Sequence, residues 1–455
     1  MKMCKTRIFA LGVAFLVNVS VARADSLYDA LMQTYNTNPS IEIARKDLET
    51  AKSNVKLAEA GFFPSLSAGA SINYTDGKMR TQSGAHYTRT EALQFEVDQN
   101  LFTGFQTINS VKAAIASEKA QEYKLQNEEQ NQLNNAVSAY VNVYATREIV
   151  ALRKTNLQAL KEQLRSTKAK LDVGEGTITD YAQAKAEYSR AISDYSEALA
   201  TNSQAEAAYQ QIVGSKPGLL IKPTICNIIP SNLDEAMSLA MQDHPAILAA
   251  NYLVNSASYS LSVKDGSFAP KLDVSVSSGY QRVGSKSLFS DLSRKDMVNT
   301  IGLKLSVPIC LGGSRFAQRD IARHQLDQAK LQLDVCRNNV RSALTTAWAK
   351  LQSSKSSVQA YIDSVKAAEI ALDGRVSEYR VGQATFLDIL NTRSQLISMQ
   401  VALINAKREL VVASYNIEAA LGRMTASYIQ DNRNYYVPKA VTKHVKHINR
   451  YNIKR

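Results

Sequence analysis

Apolar and polar residues alternate strictly in four short segments of the chain. Every second residue of 66–74 and 93–97 is apolar, and the residues between them are polar or glycine. The same alternation returns in residues 272–276 and 301–309. A period of two is typical of a strand with one apolar and one wet face. The pattern therefore predicts four strands in two β-hairpins.

Long segments with a helical period follow each predicted hairpin. Residues 105–171 contain neither proline nor glycine, and at about 1.5 Å per residue they would extend roughly 100 Å as one helix. Their apolar residues step by threes and fours, and the later segment shows heptad spacing at Leu326, Leu333 and Val340. Such spacing predicts coiled-coil packing. An isolated helix of this length is marginally stable, so packing partners are expected.

The chain repeats itself at a period close to 207 residues. Asn38-Pro39 recurs 206 residues later as His244-Pro245, whereas Val173-Gly174 recurs 208 residues later as Val381-Gly382. Two residues were therefore gained in the second copy, most simply in its hairpin, where insertions are tolerated. A period this long indicates a duplicated structural unit. We predict a signal peptide (1–24), a first repeat (25–230, hairpin about 65–102), a second repeat (231–425, hairpin about 271–309) and a basic C-terminal tail (426–455).

The N-terminus has the pattern of a secretory signal. Basic residues precede the apolar run 8–19, and Ala22-Arg23-Ala24 supplies the small residues of a cleavage site. No later stretch reaches the length of an apolar transmembrane helix. The mature chain is therefore either soluble in the periplasm or spans a membrane as β-strands. On the first alternative it is a periplasmic coiled-coil adaptor or scaffold protein whose hairpins pack on a core.

Charge and motifs exclude several classes of function. The formal net charge is +13, but the signal and residues 432–455 carry most of the excess, so nucleic acid is not an expected partner. The sequence shows no nucleophile elbow, phosphate loop or metal-ligand spacing, so we predict no enzyme activity, cofactor or metal. The tail is expected to be disordered, or to contact peptidoglycan, anionic lipid or an adaptor. The sequence assigns no chemistry to the three mature cysteines, Cys226, Cys310 and Cys336.

Four strands do not close a sheet, and an open sheet edge is not tolerated in lipid, so a membrane-spanning chain must oligomerise. A cyclic trimer would supply twelve strands. The repeated Asn-Pro and Phe-Pro elements, Gly104, Leu311-Gly312-Gly313 and Tyr379-Arg380-Val381-Gly382 together resemble the TolC family of outer-membrane efflux and type I secretion channels, over about residues 25–425. The resemblance implies a mainly α fold with membrane β: a trimeric twelve-stranded β-barrel, with four strands per chain, continued by a long α-helical coiled-coil barrel.

The resemblance also implies location, function and partners. Such a homotrimer lies in the cell outer membrane and spans into the periplasm. It exports small molecules, proteins or both, together with a periplasmic adaptor (membrane fusion) protein and an inner-membrane pump of RND or ABC type. The sequence names neither the substrate nor the pump, and it leaves drug efflux and protein secretion open.

Glycine suits the residue that follows a helix end, so turns are expected at Gly174 and Gly382. The resemblance implies that both turns lie at the periplasmic tip. The resemblance places a pore selectivity ring just inside, where the family has two aspartates one helical turn apart. These positions are Asp388 and Asn391 here. One acidic ring should give weaker cation selectivity than two.

The resemblance further assigns a periplasmic gate to Asp180 and Tyr379, which would link neighbouring helices. The gate arginine of the family falls on Ala384, so its salt bridge is absent and the closed state should open more easily. A second interpretation applies to Asp180 and Asp388. Each lies three residues after a threonine at a predicted helix start, which is close to a capping box.

Overall fold

The computed structural model describes residues 24–77, 86–226, 230–287, 290–309, 312–425 and 429. The predicted signal peptide lies outside the described residues except for Ala24. The predicted tail also lies outside them except for Ile429, as does Cys310.

The two halves of the chain fold into the same order of elements. The first half contains β1 (Ala24–Asp25), α1 (Leu27–Thr37), α2 (Pro39–Glu59), β2 (Ser65–Gly77), β3 (His86–Phe102), α3 (Gln106–Asp172) and α4 (Ile178–Val213). The strand β4 (Leu219–Leu220) follows α4 and ends the first half, so that β1 and β4 lie outside the repeated order of elements. The second half contains α5 (Leu233–Asp243), α6 (Pro245–Gly266), β5 (Lys271–Ser287), β6 (Ser290–Ser306), α7 (Ser314–Arg380) and α8 (Phe386–Ala420).

Helices α2 and α6 begin in the same way. The Asn38 side chain accepts a hydrogen bond from the Ser40 amide at 2.9 Å, and His244 Nδ1 accepts one from the Ala246 amide at 3.2 Å. A proline follows each cap at the first helical position, where its missing N–H costs nothing.

The offset between the halves changes inside the hairpin. β2 and β5 begin 206 residues apart, at Ser65 and Lys271, whereas α3 and α7 begin 208 residues apart, at Gln106 and Ser314. Both long helices contain 67 residues. The two additional residues of the second half therefore lie in its hairpin, as the sequence predicts.

The four long strands form one antiparallel sheet in the order β2-β3-β5-β6. Directly paired residues share a face, so the register aligns apolar residues across all four strands, as in the row Leu66, Val97, Val276 and Ile301. No described element covers this face, since Leu66 and Ile301 are 73% and 79% exposed. This overturns the alternative of hairpins packed on a core. β2 and β6 are the two edges, and neither pairs with another described strand.

Helices α2, α3, α6 and α7 continue from the sheet and pack side by side in that order. In the contact between α3 and α6, the rings of Tyr123 and Tyr252 stack at 5.5 Å, and Ser256 Oγ donates to the Ala113 carbonyl at 3.0 Å. Farther from the sheet, α4 packs along α3 and α8 along α7 as two helical hairpins. No described helix has an 18-residue stretch apolar enough to cross a bilayer.

The main core lies halfway along the long helices, where the short elements gather. Tyr140 of α3 is fully buried there and donates its hydroxyl to the Asp25 and Ile221 carbonyls at 2.8 and 2.7 Å. β1 and β4 form a parallel pair beside it. Tyr209 of α4 and Tyr415 of α8 are buried in the same cluster. The core thus packs the beginning of the first repeat and the ends of both repeats against the middle of α3.

Glu418 is fully buried near the end of α8. Among the described residues, no N–H or O–H group donates to either oxygen of its carboxyl. Burial raises the pKa of Glu418 to about 7, and nearby Arg423 and the Cys226 thiol lower it only in part. Between pH 4.5 and about 7, the Glu418 carboxyl therefore keeps its proton in the folded chain and loses it in the unfolded chain.

This proton makes stability depend on pH. A carboxyl group whose pKa is raised by folding destabilises the folded state as pH rises from its ordinary value of 4.5 to about 7. The loss amounts to at most roughly 3 kcal/mol.

We expect Glu418→Gln to melt at a higher temperature than the wild type at pH 8, and the difference should shrink at pH 5. Circular dichroism melts at several pH values measure this, and Glu162→Gln on the exposed surface of α3 is the control. A difference that stays constant with pH would contradict the assignment.

Candidate functional site

The turns that end the two helical hairpins have the same geometry. Gly174 and Gly382 have φ values of +80° and +79°, in the left-handed region that favours glycine. The Glu175 amide donates to the Lys170 carbonyl, and the equivalent Gln383 amide donates to the Glu378 carbonyl, both at 2.8 Å. These bonds satisfy carbonyls at the ends of α3 and α7. A Cβ on either glycine would meet no atom within 4 Å, so the backbone conformation alone explains the residue type.

Asp388 forms a complete capping box with Thr385. The Thr385 amide and hydroxyl donate to Asp388 Oδ2 at 2.9 and 2.7 Å, and the Asp388 amide donates to Thr385 Oγ1 at 3.2 Å. These bonds hold the pKa of the Asp388 carboxyl below its usual range. Asp388 is partly exposed, and Asn391, about one helical turn farther along, is exposed. The cap engages Oδ2 and leaves Oδ1 outside the box.

The two residues predicted for the gate lie in different surroundings. The Thr177 hydroxyl accepts a hydrogen bond from the Asp180 amide at 3.0 Å, so Asp180 stands at the start of α4 as Asp388 does in α8. Tyr379 packs on the Phe386 ring at 6.2 Å, and the Lys170 ammonium lies 5.8 Å from its ring centre. Within the part of the chain that the structure describes, no hydrogen bond joins Asp180 to Tyr379.

Apolar residues near the turns hold the two hairpins together. Phe386 and Leu390 of α8 are buried against Leu160 of α3 and Ala184 and Ala191 of α4. The sequence interpretation missed this cluster. The spacing of Phe386 and Leu390 is visible as a helical period, but the chain order does not reveal their partners.

A row of charged residues also lines the groove between the hairpins. Arg153 pairs with Asp194 at 2.9 Å, and Arg190 lies 3.9 Å from Glu187. Arg393 of α8 enters the same groove, where burial lowers the pKa of its guanidinium. Nearer the main core the groove widens into a cavity of about 440 Å³, where Lys350 pairs with Glu409 at 2.7 Å. Neither feature was evident from the sequence, because each brings together residues from helices far apart in the chain.

In the described ranges, no group of three or more His, Cys, Asp or Glu side chains is placed to hold a metal ion. The exposed apolar sheet and the long helical hairpins, with charged side chains in the groove between them, are instead features of a structural protein whose strands and helices form part of a larger surface.

Comparison with known proteins agrees with this architecture. Residues 30–215 and 236–423, one segment in each repeat, match the family described as "Outer membrane efflux protein". The chain is 37% identical over 429 residues to the outer membrane efflux protein BepC of Brucella suis, covering 93% of this chain and 91% of BepC. It is 25% identical over 418 residues to the outer membrane protein TolC of Escherichia coli, covering 89% of this chain and 84% of TolC.

Solved structures show the same fold. The structure of CusC, a protein that forms a transmembrane channel, superposes with a TM-score of 0.75 at 18% identity, covering 88% of this chain and 92% of CusC. Both repeats match the family, and the sheet and helical hairpins match its fold. The chain therefore belongs to the outer membrane efflux protein family and is an export channel of the outer membrane that extends into the periplasm.

Proposed function

We propose that three copies of the chain close into one channel, with twelve strands in the membrane and the helices forming a tunnel below. The observation that carries this proposal is the sheet, whose apolar face is exposed while β2 and β6 are unpaired edges. Lipid suits the apolar face, but hydrocarbon cannot satisfy the backbone groups of an open edge. Pairing of β6 with β2 of the next copy removes both edges.

The repeat supplies a second argument for the same closure. Within one chain, α3 of the first half packs on α6 of the second half through Ala113 and Tyr123. The positions 208 residues later on α7 are Ile321 and Leu331, which are 56% and 67% exposed. Their exposure is explained if α7 packs on α2 of the next copy, as α3 packs on α6.

Helix α2 carries a matching stripe. Tyr252, Ser256 and Tyr259 of α6 contact α3, and the residues 206 positions earlier on α2 are Lys46, Thr50 and Ser53. These three residues share one side of α2, because they are spaced by three and four. All three are exposed. The exposed surfaces of α2 and α7 thus occupy the positions that are equivalent to those of the contact made inside the chain.

Three copies would bring three Asp388 carboxylates toward one axis, and we propose that they form the selectivity ring of the pore. Support comes from the partial exposure of Asp388 and from the oxygen that its capping box leaves unused. A cap and a pore lining are compatible roles. Asn391 adds a polar, uncharged ring, and an anionic ring attracts cations.

For the gate, we propose that Tyr379 and Asp180 contribute to closure of the tip. Tyr379 packs against both hairpins, through Phe386 and Lys170, so its position depends on how the hairpins meet. Ala384 takes the place of Gly176 in the equivalent turn and offers no charge for a salt bridge. A tip held mainly by apolar contacts should open at a lower cost.

The energy for transport must come from partners. We propose a periplasmic adaptor that docks at the turn ends and the charged groove between the hairpins, and an inner-membrane pump of RND or ABC type. The 37% identity to BepC, named an efflux protein, favours efflux as the main activity over the secretion named for AprF, to which the chain is 21% identical.

Cross-linking tests the trimer. With the native cysteines replaced by alanine, Thr50→Cys combined with Ile321→Cys should form disulfides between copies, since Ser256 and Ala113 contact each other at the equivalent positions. Non-reducing gels should show dimer and trimer bands. Lys52→Cys with Ile321→Cys is the matched control, because Lys52 lies roughly 200° from Thr50 around α2. Equal cross-linking of both pairs, or none in either, would contradict the proposed interface.

Planar-bilayer conductance tests the ring. Asp388→Asn should lower the preference for cations about fivefold, because a unit charge a few ångströms from a carboxylate gains on the order of 1 kcal/mol in water. Asn391→Asp should raise the preference by adding a second acidic ring. Glu162→Gln on α3 is the control, since Glu162 is exposed and is assigned neither to the ring nor to the gate. Stable pores with unchanged selectivity in Asp388→Asn would leave this residue only its role as a helix cap.

A further inference from the structure

A cluster of charged side chains lies on the apolar face of the sheet, at the end away from the helices. The register places Ile72, Glu91, Arg282 and Lys295 in one row across the four strands, and Arg89 stands in the next row outward. The row on the helix side of them is entirely apolar and consists of Ala70, Leu93, Tyr280 and Met297. Charge therefore begins abruptly where the apolar band ends. We call Arg89, Glu91, Arg282 and Lys295 the rim cluster.

The rim cluster has an excess of positive charge. Glu91 pairs with Arg89 and lies 4.0 Å from Arg282, so one carboxylate holds two guanidinium groups in place. Both arginine side chains are about half exposed, at 51% and 50%. Lys295 is exposed and has no acid within ion-pair distance among the described residues. Three bases and one acid leave a charge of +2 in each chain, facing outward.

The geometry of the two arginines suits an anionic ligand. A guanidinium presents five N–H donors in a fixed plane, and a single shared carboxylate cannot engage all donors of two such groups. Arg89 also stacks on the Tyr74 ring at 5.4 Å, which orients it at the edge of the apolar band. Tyrosine and arginine are typical residues at a membrane–water interface.

The position of the cluster selects the ligand. Because the helices extend into the periplasm, the opposite end of the sheet lies at the outer leaflet of the outer membrane. Headgroups there belong to a glycolipid that carries phosphates on its sugar backbone. We propose that Arg89, Arg282 and Lys295 bind the phosphate groups of this glycolipid and fix the height of the channel in the membrane. The inference rests on the proposed contact of the apolar face with lipid.

The opposite face of the same strands provides a matched control. Lys271, Arg294 and Lys304 lie on the polar face, and Arg294 is paired there with Asp296 at 2.8 Å. Replacing these three bases by glutamine removes the same amount of charge, from β5 and β6. It leaves the outward face unchanged.

Native mass spectrometry of the detergent-solubilised full protein tests the proposal, with diphosphorylated lipid A, its dephosphorylated form and phosphatidylglycerol as probes. The wild type and the polar-face control should bind diphosphorylated lipid A at least about tenfold more tightly than the other two. That preference corresponds to about 1.4 kcal/mol, and bases close to a membrane surface attract anionic headgroups. The combined variant Arg89→Gln, Arg282→Gln and Lys295→Gln should lose the preference for diphosphorylated lipid A.

Three results would overturn the proposal. These are retention of the preference in the rim variant, loss of it in the polar-face control as well, and equal binding of phosphatidylglycerol by the wild type. Bilayer conductance of the same preparations separates this inference from the proposed channel. Wild-type pores without lipid discrimination would refute the lipid site alone, whereas folded protein that forms neither trimers nor pores would refute the channel assembly on which the site depends.

Discussion

The backbone hydrogen bonds at the edges of the sheet constrain everything else in this protein. β2 and β6 each present a row of unpaired N–H and C=O groups beside an exposed apolar face. In water such an edge invites aggregation, and in hydrocarbon each unsatisfied group costs several kcal/mol. The described part of a single chain has four long strands, and they do not pair with one another at both edges. In the proposed assembly the next copy completes the sheet, and the helices below are then arranged so that the same copies meet there too.

Duplication meets this requirement with one kind of contact. The pairing of β3 with β5 and the packing of α3 on α6 join the first half of the chain to the second. If the second half meets the next copy in the same way, a ring of six equivalent units needs no new interface. The exposed apolar residues of α7 are then the second occurrence of a contact that the chain already contains. Such economy explains why the two halves keep the same order of elements.

Most of the fold followed from the sequence, because its signals are local. Strict alternation indicates strands, and the 67-residue helices lack proline and glycine apart from Gly374, so their existence required no knowledge of tertiary contacts. The turns at Gly174 and Gly382 were also local, since left-handed φ favours glycine. The candidate site was harder to predict. The capping box of Asp388 is a local pattern, but the burial of Phe386 and the entry of Arg393 into the groove depend on how two distant hairpins pack. The link between Asp180 and Tyr379 came from family resemblance, and the described chain does not make that hydrogen bond.

The equal lengths of α3 and α7 have a further consequence. At about 1.5 Å per residue each helix measures roughly 100 Å, and both run from the membrane sheet to the turns. Deletion of one residue from either helix would shorten it by about 1.5 Å and rotate everything beyond it by roughly 100°. The heptad residues of the shortened helix would then no longer face their partners, and its turn would no longer lie level with the turn of the other helix. The equal lengths of α3 and α7 therefore fix the distance from the sheet to the turns. That distance sets how far below the outer membrane a partner that contacts the turns must reach.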